Sequence, residues 1–187
     1  MISIILVAAS PTFVRLMRDR RVNRAAMHLV DAYRTGRTRA IGRGLPMLVV
    51  WDTINGMDNA EPGTKGLVRI VEPNVTANAA QSTCANTDFT NLQAPGTAGV
   101  SEVSRIDFKR GQYTNTSAVF NDNGAAAANR SYAEICFSPT GRAFIRFTTT
   151  GAFTPMASVA SFTVTNVDTT VPRTVFIPPN GVARLQL

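Results

Sequence analysis

From Thr12 to about Arg43 the chain consists mostly of good helix formers, and Val22, Ala26, Leu29 and Tyr33 recur at i, i+4, i+7 and i+11. At 3.6 residues per turn this spacing lays one apolar stripe along a long amphipathic helix, and that stripe needs a surface to lean on. Arg18, Arg21 and Arg24 fall largely off the stripe, and Gly44 followed by Pro46 supplies a stop. Pro11 predicts either a kink or the first turn of the helix. Ahead of it, Met1 to Ala9 is almost wholly apolar, yet a spanning helix needs about 20 such residues. The stretch also lacks the basic start of a secretory signal. It reads as the tail of a longer apolar helix.

After Pro46 the pattern changes to short runs rich in Val, Ile, Phe and Thr, separated by Gly, Asn and Pro, which predicts strands and turns. Met47 to Trp51 and Gly66 to Val71 read as a hairpin-like pair, with Asn55-Gly56 as a turn between them. Pro73 to Gly99, rich in Ala, Asn, Thr and Gln, predicts a long, exposed, mostly irregular loop containing Cys84. Val103 to Phe108 and Ala118 to Asn121 predict further strands. A polar turn with Asn123-Gly124 and an alanine run follow, and strands resume at Tyr132. Tyr132 to Phe137, Ser138-Pro139-Thr140-Gly141 and Arg142 to Thr148 read as strand, tight turn, strand. Within the last of these, Phe144 and Arg146 alternate with Ile145 and Phe147, which predicts one face more buried than the other. Ser161 to Val167 is another strand, and Arg173 to Ile177 with Val182 to Leu187 closes the chain as a hairpin around Asn180-Gly181. No internal repeat occurs at a fixed period.

The 187 residues are enough for one folded unit with a real core plus an N-terminal arm. Hydrophobic residues at 44% and charged residues at 17% exclude a disordered chain. The formal charge of +7 is uneven, because nine of the nineteen basic residues, all arginine, lie between Arg15 and Arg43, opposed there only by Asp19 and Asp31. Such an arm suits nucleic acid, anionic lipid headgroups or an acidic partner alike. The two cysteines, Cys84 and Cys136, belong to no CxxC or Cys/His cluster. They fit one disulfide in an oxidising compartment, and equally two reduced, buried thiols.

Catalysis needs convergent acid, base, nucleophile or metal ligands. The single histidine, His28, sits in the helix among arginines, and no HExxH, GxSxG, P-loop or paired-carboxylate motif occurs. The expectation is therefore no catalytic residue, no metal, no cofactor and no small-molecule substrate. The arginines allow three readings: a solvated helix face, pairing with carboxylates of a neighbouring subunit, or nucleic-acid contact. A carbohydrate platform would have to come from Trp51, Tyr113 and Tyr132 and finds little support.

The run from Val22 to Pro46, with Ala25-Ala26, Leu29 and then Ala40-Ile41-Gly42-Arg43-Gly44-Leu45-Pro46, resembles the helix end of the GspH/FimT family of minor pilins and type II secretion pseudopilins. Phe137-Ser138-Pro139-Thr140-Gly141-Arg142 is similar to that family's strand-turn, and Arg173-Thr174-Val175 with Asn180-Gly181 to its closing hairpin. Nothing in Pro73 to Gly99 matches. The family's basic leader, the glycine before its processing site and the glutamate of its mature helix are not in this sequence. If Pro11 matches the proline ending the family's apolar segment, roughly the first half of that segment lies outside the chain.

The resemblance implies a pilin-like α+β fold, a long N-terminal helix packed on a small antiparallel β domain of two sheets. The helix would take residues 1–44 (apolar 1–11, amphipathic 12–44) and the globular β domain 45–187. It implies a structural subunit of a type IV pilus or type II secretion pseudopilus whose partners are other pilin or pseudopilin subunits. Filament packing would run through Ile4, Ile5, Leu6, Val7, Pro11, Phe13 and Val14. Before assembly the subunit would sit in the inner membrane with a periplasmic domain. The alternative is a DNA-binding minor pilin in DNA uptake: the family's Gly-Arg-x-Arg tail corresponds here to Gly181-Val182-Ala183-Arg184, with one arginine of the pair missing, so Arg184 is the remaining candidate contact.

Overall fold

The computed structural model describes residues 2–53, 66–73, 83–85, 89, 100–108, 113, 115–123, 128–149, 151–166, 169–180 and 182–186, with helix side chains described from Phe13 onward. Helix α1 (Ile2–Arg43) opens the chain. It continues through Pro11, so that proline does not mark a first turn. Gly44 ends it at φ 66°, a left-handed conformation that a glycine adopts without a Cβ penalty.

Among the described residues eleven strands follow: β1 (Met47–Asp52), β2 (Leu67–Pro73), β3 (Val100–Asp107), β4 (Thr116–Asp122), β5 (Ala128–Arg130), β6 (Tyr132–Phe137), β7 (Ala143–Arg146), β8 (Thr154–Pro155), β9 (Ala160–Asn166), β10 (Thr169–Ile177) and β11 (Arg184–Gln186). They form two sheets, β3-β2-β1-β6-β7-β8 and β11-β10-β9-β4-β5. Every pairing is antiparallel. The fold is α+β, one helix on two antiparallel sheets. The expected β1–β2 pair forms with Val50 opposite Arg69, and the closing hairpin forms with Val175 opposite Leu185. The Asn55-Gly56 turn lies outside the described residues, as do Gly124 and Gly181. Strands resume at Ala128, four residues before the expected Tyr132, because 128–130 pairs with β4.

The apolar stripe meets both sheets. Val22, Ala26, Leu29 and Tyr33 are fully buried in one cluster with Val49, Trp51 and Ile135 of the first sheet and Phe120, Phe162 and Val175 of the second. Tyr33 bridges them, its ring centroid 6.5 Å from Phe137 and 5.7 Å from Phe162. Complete burial pushes its phenol well above the ordinary range. Trp51 repeats the bridge at 5.1 Å from Phe162 and 6.2 Å from Phe108, and its Nε1 donates to the Arg130 carbonyl at 3.1 Å. Edge-to-face aromatic pairs of this kind add to the area they bury. Gly36 lets the helix come close: a Cβ there would stand 2.8 Å from Val49 Cγ2, a side chain fixed on a central strand.

Two expectations fail on the outer face of the first sheet. The stretch Pro73 to Gly99 is not simply exposed, since Cys84 and Phe89 are buried with Leu48, Val50, Val71 and Cys136 in a second small core. Cys84 and Cys136 are joined as a disulfide. The second core also buries the other side of β7. Phe144 packs against it while Ile145 and Phe147 pack on the main core, so neither face of that strand is left to water. Sequence alternation misled here because the cover comes from a segment more than fifty residues away in the chain. Charge shares this face: Arg146 donates to the fully buried Glu134 carboxylate, Tyr132 donates to it as well, and the Arg146 guanidinium lies 4.2 Å over the Phe153 ring.

Candidate functional site

The helix changes environment along its length. From Val22 onward its stripe is buried, whereas Phe13, Val14, Leu16 and Met17 are exposed at 62%, 42%, 48% and 42%. Large apolar side chains exposed in succession on one element mark an interaction surface. Of the expected packing residues, Phe13 and Val14 therefore lie open on the helix. Ile4, Ile5, Leu6, Val7 and Pro11 lie on the same helix, their side chains outside the described ones. No helix among the described residues is long and apolar enough to cross a membrane.

The arginines divide by position. At the C-terminal end of the helix they act as fasteners. Arg37 Nε donates to the Gly141 carbonyl at 3.1 Å and its Nη2 to the Asn180 carbonyl at 3.3 Å, while Arg34 Nε donates to the Ala183 carbonyl at 3.1 Å. The planar guanidinium fork reaches two carbonyls at once, which an ammonium cannot do as well. Thus one helix turn holds both the 138–141 turn and the closing hairpin loop, and the Ala143 N–H to Pro179 carbonyl bond, 3.1 Å, joins those two loops directly. Gly141 sits at φ 77°, and a Cβ on it would approach Ile41 Cδ1 at 3.0 Å. Arg43 pairs with the mostly buried Glu72, which Arg39 approaches to 4.0 Å. Farther up, Arg173 of β10 donates to Asp19 at 3.0 Å, tying the helix to the second sheet near the upper limit of its buried stripe.

On either side of that tie, Arg15, Arg20 and Arg21 are exposed and make no ion pair among the described residues. Arg184, on edge strand β11, is exposed and apart from them. Arg15, Arg20 and Arg21 thus form a solvated face, while Arg34, Arg37 and Arg43 bond to groups of their own chain. Fastening of loops by Arg34 and Arg37 was not expected, and nothing in their spacing signals it, because both acceptors are backbone carbonyls of residues more than a hundred positions away.

His28 shares a hydrogen bond with the Tyr113 hydroxyl at the mouth of a cleft of about 350 Å³ between the helix and β2–β3, lined also by Asp31, Thr35, Ser104 and Arg105. Arg105 is held there by a bidentate pair with Glu102 at 2.8 Å. Trp51 and Tyr113 are buried in the main core, and Tyr132 is on the opposite face of the first sheet, so the three rings form no common platform. Among the described residues no group of three His, Cys, Asp or Glu side chains is placed to hold a metal ion. No family model, no curated protein and no solved structure matches the chain.

Proposed function

We infer that the chain is a structural subunit of a pilus-type filament, a minor pilin or pseudopilin, which assembles through the N-terminal part of its helix. The observation that carries this reading is the division of α1: buried in the β domain from Val22 onward, and bearing uncovered Phe13, Val14, Leu16 and Met17 above it. Leaving such side chains in water forgoes roughly 1.5–3 kcal/mol apiece, which neighbouring helices in a filament core would recover. The two-sheet domain then faces outward, fastened to the helix end by Arg34 and Arg37. The resemblance of Val22 to Pro46, of the 137–142 turn and of the closing hairpin to the pilin family supports the same reading. The membrane would hold the subunit before assembly.

DNA uptake has less to rest on. Of the two arginines in the family's tail only Arg184 is present, and sequence-independent affinity scales with the number of phosphates neutralised. The deciding experiment is co-purification of the chain with other pilin or pseudopilin subunits from cells producing the whole filament system. Phe13→Asp should abolish it with the melting temperature unchanged, and absence of the wild-type chain from sheared filaments and pseudopili would sink the assignment.

A further inference from the structure

Charge is matched within the chain almost everywhere the structure describes it. Asp19, Glu72, Glu102, Asp122 and Glu134 each hold an arginine of their own chain. Asp52 and Asp107 also interact within the chain. Among the described carboxylates Asp31 is the exception, exposed and without a hydrogen bond or ion pair there. Arg21 is its converse on the same helix. The two cannot meet within one copy, because ten residues of helix hold them about 15 Å apart along the axis.

Each of the two stands beside an exposed methionine. Met17 precedes Arg21 by four residues and Met27 precedes Asp31 by four, the spacing that stacks side chains one turn apart on one face. Met17 and Met27 are 42% and 47% exposed. A second helix lying parallel to the first and displaced by ten residues therefore sets Met17 against Met27 and Arg21 against Asp31 together. An antiparallel helix that brought Arg21 to Asp31 would set Met17 against Thr35 instead. Only the parallel arrangement satisfies both pairs.

The surroundings of Asp31 suit a guanidinium. Asp31 lines the cleft of about 350 Å³ between the helix and β2–β3, where Thr35 and Ser104 supply hydroxyl acceptors and Ile70 and Ile106 supply apolar wall for an arginine stem. Arg105 also lines it, its charge offset by the bidentate Glu102. We propose that Asp31 receives Arg21 of a second copy of the chain, so that neighbouring helices run parallel and displaced by about 15 Å. Carboxylate and guanidinium meet through two parallel hydrogen bonds, and the methionine pair beside them is removed from water. Such a contact is head to tail, each copy giving one end and receiving at the other, and it propagates without closing. The proposal deepens the filament reading, and rests on it, by naming the surface of a neighbour that covers Met17 and the distance by which neighbours are displaced.

The test is sedimentation velocity of the purified full chain with Asp31→Arg, with Arg21→Asp, and with an equimolar mixture of the two variants. The wild type should self-associate, less so as salt is raised. Each reversal turns an attraction into a repulsion and should raise the dissociation constant on the order of tenfold, while the neutral Asp31→Asn should raise it about threefold. In the mixture every Arg21 meets an Asp31 and every Asp introduced at 21 meets an Arg introduced at 31, so association should return to the wild-type level. Both sites are exposed, and unchanged circular dichroism melts verify that the variants are folded. A wild type that stays monomeric, reversals that change nothing, or a mixture no better than its parts each overturns the proposal. Filaments that incorporate Asp31→Arg as well as the wild type would refute this pairing and leave the filament reading standing. Rescue by mixing, with no wild-type chain in sheared filaments and pseudopili, would do the reverse.

Discussion

Removing the Cys84–Cys136 bond should lower the unfolding free energy by about 4 kcal/mol, mostly through the unfolded chain. The bond spans a separation of 52 residues. Chain-entropy theory gives such a loop roughly 14 cal/mol/K, or about 4 kcal/mol near room temperature. A domain has only about 5–15 kcal/mol in all, so this is a large share. Cys84→Ala/Cys136→Ala also removes sulfur from a core shared with Leu48, Val50 and Phe89, adding about 1 kcal/mol for the cavity. Trp51, the single tryptophan, is buried between the two sheets and reports urea unfolding by its fluorescence. The diagnostic quantity is the slope. An unfolded chain freed of its crosslink exposes more surface, so the dependence on urea should steepen as the midpoint falls. Phe89→Ala, with the bond intact, serves as the packing control and should cost about 3 kcal/mol at unchanged slope. A lower midpoint with no steepening would show that packing accounts for the loss and refute the entropic argument.

Three further outcomes follow from buried or forked charges. Arg37→Ala removes the donors to the Gly141 and Asn180 carbonyls and should cost about 1–3 kcal/mol in a thermal melt, with Arg37→Lys recovering less than half because it lacks the fork. Arg146→Ala leaves the Glu134 carboxylate buried without its cation and should cost about 3–5 kcal/mol, while replacing both residues by apolar ones of similar volume restores most of the loss. Burial, outweighing the bonds from Arg146 and Tyr132, holds the Glu134 carboxyl above its ordinary 4.5. The native state therefore binds that proton more tightly than the unfolded chain. Its stabilising contribution is full below 4.5 and is lost as pH rises through the folded-state value. Glu134→Gln should flatten that decline in urea melts taken from about pH 4 to about pH 8, and an unchanged pH profile would count against it.

The sequence by itself determined the local elements. The spacing of Val22, Ala26, Leu29 and Tyr33 set which side of the helix would be buried, Gly44 and Pro46 set where it would stop, and β-rich runs between turn residues set most of the strands, because each of these signals acts over a few residues. The exposed apolar residues Phe13 and Val14 were legible as candidates for the same reason. Only the tertiary structure decided what the arginines do. Arg34 and Arg37 became fasteners of distant loops and Arg173 an anchor for Asp19, while Arg15, Arg20 and Arg21 remained uncovered. The difference lies in which backbone carbonyls and carboxylates the fold brings within reach, a matter of three-dimensional proximity between segments up to about 150 positions apart. The second core followed the same logic: alternation along β7 describes one strand, but burial of its outer face depended on Cys84 and Phe89 arriving from elsewhere in the chain.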